Sequence, residues 1–244
     1  TLPAQAVDMA LWIEFERMIN PQITQSELDN QRDVVKNEIK VNVLNRPYGG
    51  FPWIDMSEKA FTNWQNNHNG YGDMEDLSAA SIKDVKSFYS DYYNPSNATI
   101  VVTGDVNPND VIKKIEELFS QIPVKKLVTE PDLTEPQQKK ESKYYKTDPL
   151  APKPALCIAY HAPPRMSDDF FALGLFDQMF IQGEDSLLNK VLVREKGITD
   201  DIFGGISFEG NMFTSKDPML WHFSMIYDDV NSSEQIIKFI DQLL

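Results

Sequence analysis

The segment from Pro123 to Pro154 divides this chain in two. Its composition turns to Lys, Glu and Pro and its apolar residues lose any regular period, so it offers no face that a helix or strand could bury. The residues on either side of it must therefore each bury apolar surface of their own. The boundaries read from this break are 1–128 for a first domain, 129–153 for a linker and 154–244 for a second domain. With 244 residues, 41% of them hydrophobic, the chain has enough apolar material for such cores, which excludes intrinsic disorder.

Helical patterns dominate the first part. Val7, Leu11, Phe15 and Met18 recur at helical spacing ahead of Pro21, and Thr24 with Glu27 forms a capping-box pattern. The helix opened there carries Leu28, Val35, Ile39 and Val43 on one face until Arg46-Pro47, and is the longest expected. Residues 47–77 read as loops around a short helix. Ser81 caps a helix with Ile82, Val85, Tyr89 and Tyr92 inward, closed by Asn94-Pro95. The β-branched run Thr99–Thr103 predicts a buried strand, and Asn107-Pro108 starts a helix burying Val111, Ile115, Leu118 and Phe119.

Strands enter in the second part. Ala155–Tyr160 reads as a strand, Ser167 caps a helix with Phe170, Leu173 and Phe180, and a helix with Leu187, Leu188, Val191 and Leu192 ends at Gly197. Strands come next at 202–208 and 219–227; in the latter Trp221, Phe223, Met225 and Tyr227 alternate with Leu220, His222, Ser224 and Ile226. Helices and strands are interspersed without a regular βα repeat, which points to the α+β class. Ser232 or Ser233 caps a last helix, with Ile236, Ile240, Leu243 and Leu244, that meets no stop signal, and the first helix opens within a turn of Thr1. The chain thus reads as a fragment.

Charge and motifs narrow the chemistry. Against 37 acidic residues stand 23 Lys and Arg, a net charge of −14, so no basic patch is expected for nucleic acid or an anionic membrane surface. No apolar run approaches the ~20 residues of a membrane span. Cys157 is the single cysteine, so no intrachain disulfide forms. His68, His161 and His222 lie far apart with no pair at i,i+4, so local spacing gives no zinc site, and each reads as an ordinary structural residue. No nucleophile elbow, phosphate loop or dinucleotide fingerprint occurs, and Gly204-Gly205 reads as a strand bulge or a close backbone approach. Gln31, Glu38, Asn42 and Asn45 share a narrow helical sector, which by spacing alone is a solvated face.

The chain resembles the zinc metallopeptidases of the pitrilysin/insulinase group, which includes the mitochondrial processing peptidases and many bacterial zinc proteases. The resemblance is carried by QRDVVKNEI at 31–39, NRPYG at 45–49, GDMEDL at 72–77, FYSDYYNPSNAT at 88–99, VVTGD at 101–105 and SLLNKVLVREKG at 186–197. It implies an α+β lobe like that of the processing peptidases, with helices layered on a mainly antiparallel sheet. Residues 1–128 would then be the C-terminal part of a metal-ligand-bearing domain and 154–244 the first part of a related one.

Members of that group bind zinc through an inverted H-x-x-E-H helix, two histidines as ligands and the glutamate as general base, with a third ligand glutamate on a later helix. Glu38 matches the third ligand, and Gln31 and Asn42 would stand behind it as orienting groups; many relatives carry an acidic residue where Gln31 stands here. No H-x-x-E-H occurs in the 244 residues. The resemblance therefore implies a piece of a zinc endopeptidase that lacks the upstream motif, with no catalytic base of its own, Zn2+ only in the full-length protein and no activity alone. The implied partners are a peptide substrate, the upstream segment, and a second copy or a homologous subunit. The alternative is a non-catalytic partner subunit of a two-subunit protease. A further reading, an α+β interaction domain unrelated to proteolysis, leaves Glu38 an ordinary surface carboxylate. Bacterial relatives point to the periplasm or cell envelope, with the cytoplasm as the other option.

Overall fold

The computed structural model describes residues 1–208, 211–228, 230 and 232–244. In chain order its elements are α1 (Val7–Ile19), α2 (Gln25–Ile39), α3 (Trp53–Ala60), α4 (Trp64–Asn67), α5 (Met74–Ala79), α6 (Ile82–Tyr92), α7 (Pro108–Phe119), β1 (Ala155–His161), α8 (Asp168–Phe180), β2 (Phe203–Ile206), β3 (Leu220–Ile226) and α9 (Ser233–Asp241). They form two compact units, one of residues 1–36 and 73–130, the other of residues 37–72 and 131–244.

The first unit is helical among its described residues. Its α1 packs on α7, where Phe15 meets Phe119 edge to face at 5.9 Å between Leu11 and Val111, all four buried. The reciprocal cap at the start of α2 forms: the Thr24 hydroxyl accepts from Glu27 N, and Glu27 accepts from Thr24 N at 3.2 Å. Farther along α2, Arg32 donates from Nε to the Leu77 carbonyl at 2.8 Å and from Nη2 to that of Ala80 at 2.6 Å, while Lys36 reaches Ser78 Oγ. The two guanidinium donors satisfy carbonyls at the C-terminal end of α5. The Ser81 capping box of α6 forms with Asp84.

Three expectations are corrected, two of them in this unit. Thr99–Thr103 forms no strand, and Val101 is 78% exposed. A β-branched run gains its ladder bonds only from a neighbouring strand, and no strand of the first unit is present among the described residues. Tyr92 points outward, 41% exposed, with its ring on Phe88 at 4.6 Å rather than in the core. Residues 47–77 hold α3, α4 and the start of α5, not one short helix.

In the second unit the sheet is antiparallel with strand order β1-β3-β2, Ile158 and Gly204 both opposite Phe223. Trp221, Phe223 and Met225 project into a core completed by Phe170 and Phe180 of α8, Leu188, Leu192, and Ile236 and Ile240 of α9, all of them buried. The opposite face, with Leu220, His222 and Ser224, is buried as well. On that side Phe208 stacks on His222 at 3.6 Å and Phe61, at the end of α3, meets His161 edge to face. The helix expected around Leu187–Leu192 is mostly a π turn, Asn189–Glu195, and Gly197 ends it at φ +57°.

Glycines mark two close approaches. A Cβ on Gly49 would lie 1.9 Å from the Val43 carbonyl oxygen, and one on Gly204 would lie 2.2 Å from that of His222, so Gly204 bears out the close backbone approach read from the sequence. The run from 131 to 153 has no regular structure yet is tied down. Glu135 accepts from Thr62 N, Thr62 Oγ1, Asn63 N and Asn66 Nδ2 at 2.7–3.0 Å. Tyr48 donates from N to Asp148 at 2.8 Å, and its hydroxyl both donates to the carbonyl and accepts from the N–H of Lys153.

Candidate functional site

Glu38 stands on the last turn of α2, one residue before the buried Ile39 and two before a π turn at Lys40–Leu44. That turn is closed by Asn45 N donating to the Lys40 carbonyl at 2.8 Å. A π turn interrupts the 3.6-residue winding and is found often at functional positions. The Glu38 side chain is exposed, and its Oε1 accepts a hydrogen bond from the Tyr71 hydroxyl at 3.0 Å. Its Oε2 has no bond to any described residue.

Tyr71 is held by its own loop. Asn69 Oδ1 accepts from Tyr71 N at 2.9 Å, Gly72 N closes a turn onto the Asn69 carbonyl, and Gly72 sits at φ +69°, a region glycine enters without strain. The Tyr71 ring leans on Trp53 of α3 at 5.9 Å. Gln31 and Asn42 are both exposed, and no described hydrogen bond joins either side chain to Glu38. Nothing in the sequence pattern singles out Tyr71 itself; the turn residues Asn69, Gly70 and Gly72 around it are the available signal.

The histidines occupy separate structural settings. His68 stacks on Trp64 at 4.6 Å with Nδ1 at 2.7 Å from the Trp64 carbonyl, and His161 Nε2 lies 3.0 Å from that of Ala60. His222 is buried and its Nε2 is 3.4 Å from the Ser207 carbonyl. Among the described residues no group of three or more His, Cys, Asp or Glu could hold a metal ion. Among the described residues the metal-ligating side chains therefore do not make a whole zinc site.

Two hollows lie elsewhere. A groove of about 590 Å³ in the first unit is lined by Trp12, Ile13, Arg17, Phe88, Tyr89 and Tyr93, and a smaller one of about 250 Å³ in the second by Gln182, Asn189, Asp201 and Phe203. Glu38 lines neither. The lone thiol, Cys157, has its pKa pushed up to about 12 by burial, so it is protonated at neutral pH. No helix among the described residues is long and apolar enough to cross a membrane.

Comparison with known proteins places the chain in a family. Residues 79–244 match the family described as "Peptidase M16 inactive domain". The chain is 25% identical over 199 residues to the zinc protease PqqE of Helicobacter pylori, covering 81% of this chain and 45% of that protein. It is 26% identical over 180 residues to the mitochondrial presequence protease of Eremothecium gossypii, covering 70% of this chain and 17% of that one. Among solved structures, a protease from Helicobacter pylori superposes with a TM-score of 0.86 at 23% identity, over 98% of this chain and 56% of that one. A peptidase M16 inactive domain from Pseudomonas fluorescens superposes with a TM-score of 0.73 at 14% identity, over 96% and 54%. The chain spans about half the length of the Helicobacter pylori relatives. Glu38 and Tyr71 precede the family match, whose span covers α6, α7 and the entire sheet. With more than half of its residues in that match, the chain belongs to the peptidase M16 inactive-domain family.

Proposed function

We propose that this chain is part of a zinc-dependent endopeptidase acting on peptides or unfolded segments, and that Glu38 supplies one ligand of its metal. The observation that carries the reading is the Glu38 carboxylate itself, with Oε1 held by Tyr71 and Oε2 free at the end of the helix bearing the family-like QRDVVKNEI run. The two histidine ligands and the general base belong, on this reading, to an H-x-x-E-H helix outside this sequence. When bound, zinc supplies a water of lowered pKa and polarises the scissile carbonyl. The part played by this chain is to present a carboxylate of opposite charge, oriented before the metal arrives. Gln31 on the same helix and Asn42 in the π turn after it would join that setting once the remaining ligands are in place. Residues 1–128 and 154–244 are then parts of two related domains joined by 129–153, and the periplasm or cell envelope is the proposed location.

A second reading has its own support. The chain is 26% identical over 195 residues to subunit 1 of the cytochrome b-c1 complex of Saccharomyces cerevisiae, covering 75% of this chain and 40% of that subunit. A non-catalytic subunit paired with an active homologue would also lack H-x-x-E-H. The sequence upstream of Thr1 separates the two readings: H-x-x-E-H there supports the enzyme, and its absence supports the partner subunit.

The isolated chain offers a direct test. Dialysed against a chelator and then supplied with zinc, it should retain no stoichiometric metal and cleave no peptide, because one carboxylate does not make the roughly three-ligand site that catalysis needs. Tight zinc at one ion per chain, or zinc-dependent turnover, would contradict the reading.

A further inference from the structure

We propose that the outer face of α8 is a self-association surface, on which a second copy of this chain seats its own α8 antiparallel, centred on Leu175. The surface involves no metal and is the same under either reading of the chain's function. On its inner side α8 buries Phe170, Phe180 and the bonded Asp177, and on one flank a Cβ added at Gly174 would lie 2.7 Å from Met212 Cε. The outer side is bare: Leu175 is 71% and Met179 72% exposed, with Phe171 at 41%. Apart from the buried Asp177, the helix carries charge at Asp168 and Asp169 in its first turn and nowhere else. A helix facing water normally presents polar residues there, whereas one apolar on nearly all sides is a covered helix.

The pattern of this face argues for what covers it. Phe171, Leu175 and Met179 recur every four residues along about 12 Å of helix, with Leu175 in the middle. Turned antiparallel about a two-fold axis through Leu175, the face meets itself: Leu175 on Leu175, and Phe171 on Met179 of the second copy at both ends, a ring against a thioether. The same turn brings the start of each helix, with the exposed Arg165, beside the end of the other, which Glu184 and Asp185 follow with almost fully exposed side chains. Asp168 and Asp169 stand at that start too, so the ends are of mixed sign and the apolar centre carries the attachment. Each copy bears a charge of −14, which opposes the pairing at long range until salt screens it. At about 200 Å² for a whole large apolar side chain, the exposed parts of Phe171, Leu175, Phe176 and Met179 come to roughly 400 Å² per copy, half of the ~800 Å² each partner buries in a standard stable interface. The dimer is therefore weak and reversible.

The test is analytical ultracentrifugation of the 244-residue chain from low micromolar to near-millimolar concentration, at low and high salt, as wild type, Leu175→Glu and Val101→Glu. Wild type should pass from one chain to two as concentration rises, and do so at lower concentration in high salt. Leu175→Glu sets two carboxylates against each other on the axis and should stay monomeric, while Val101→Glu, at an equally exposed apolar position of the first unit, should dimerise like wild type. A second variant fixes the register without relying on Leu175→Glu. In oxidised glutathione Leu175→Cys should join two copies through one disulfide far faster than Val101→Cys does, because the axis places each thiol against its twin. Wild type monomeric throughout, association that weakens with salt, growth beyond two chains, a dimer that survives Leu175→Glu, loss in both Glu variants alike, or equal cross-linking of the two Cys variants would each overturn the proposal.

Discussion

Trp221 of β3 donates its indole N–H to Oδ1 of Asp177 in α8 across 2.8 Å, and both side chains are buried. The other oxygen of Asp177 accepts from Gln182 Nε2 at 3.0 Å, and the same amide donates to the Gly204 carbonyl. One carboxylate thus links α8, β3 and β2 from inside the core. Asp177→Ala should lower unfolding free energy by about 1–3 kcal/mol, because the Trp221 N–H is left buried without a partner. A urea titration measures this; a midpoint equal to wild type would contradict the linking role.

The buried imidazole of His222 makes stability depend on pH. Burial pushes its pKa down to about 4, against a smaller upward pull from the Ser207 carbonyl, and its Nδ1 has no hydrogen-bond partner among the described residues. The folded state therefore binds fewer protons than the unfolded one between roughly pH 4 and pH 6.5, and stability present above the unfolded value is lost as pH falls through that window. The loss from this group is roughly 3 kcal/mol. Asp177 acts with the opposite sign. Burial raises its pKa more than Trp221 and Gln182 lower it, so its contribution falls as pH rises from the ordinary carboxylate value through the raised one. Melting wild type and His222→Gln at about pH 7 and about pH 4.5 checks the assignment: the variant should lose much of the pH dependence, and equal dependence in both would refute it.

Glu135 ties the irregular segment to the start of α4. Burial works against its charge, yet the hydrogen bonds from Asn66, Thr62 and Asn63 outweigh burial and hold the carboxyl below its ordinary value. Glu135→Ala should cost about 1.5–3 kcal/mol, the range for hydrogen bonds to a charged group, and expose residues 131–135 to proteolysis. Limited digestion of the two proteins side by side reads this out; identical cleavage rates would show that the segment is held by something else.

What the sequence makes legible is what a local window contains. Ser81, Asn107, Ser167 and Ser232 all cap the helices expected of them, because a cap bonds a backbone N–H only two or three residues on. Thr99–Thr103 misleads for the converse reason, since strand propensity in the run says nothing of whether a neighbour exists to pair with it. Nothing in the local pattern of α8 marks Asp177 for the core, where it is bonded by the distant Trp221. The Glu38 position is legible through the QRDVVKNEI pattern, whose Arg32 proves to clamp the end of α5. Its donor, Tyr71, lies 33 residues on in a polar turn and obeys no helical spacing.

The ligand role of Glu38 is tested most directly by bound zinc and peptide hydrolysis, measured together on the upstream-extended polypeptide as wild type and as Glu38→Gln. The amide keeps the size of the side chain and removes the charge that would face the cation. The expected result is loss of stoichiometric zinc with turnover reduced well beyond the 10–100-fold typical of groups behind a ligand. Unchanged zinc content and turnover in Glu38→Gln would contradict it and assign the ligand to another residue.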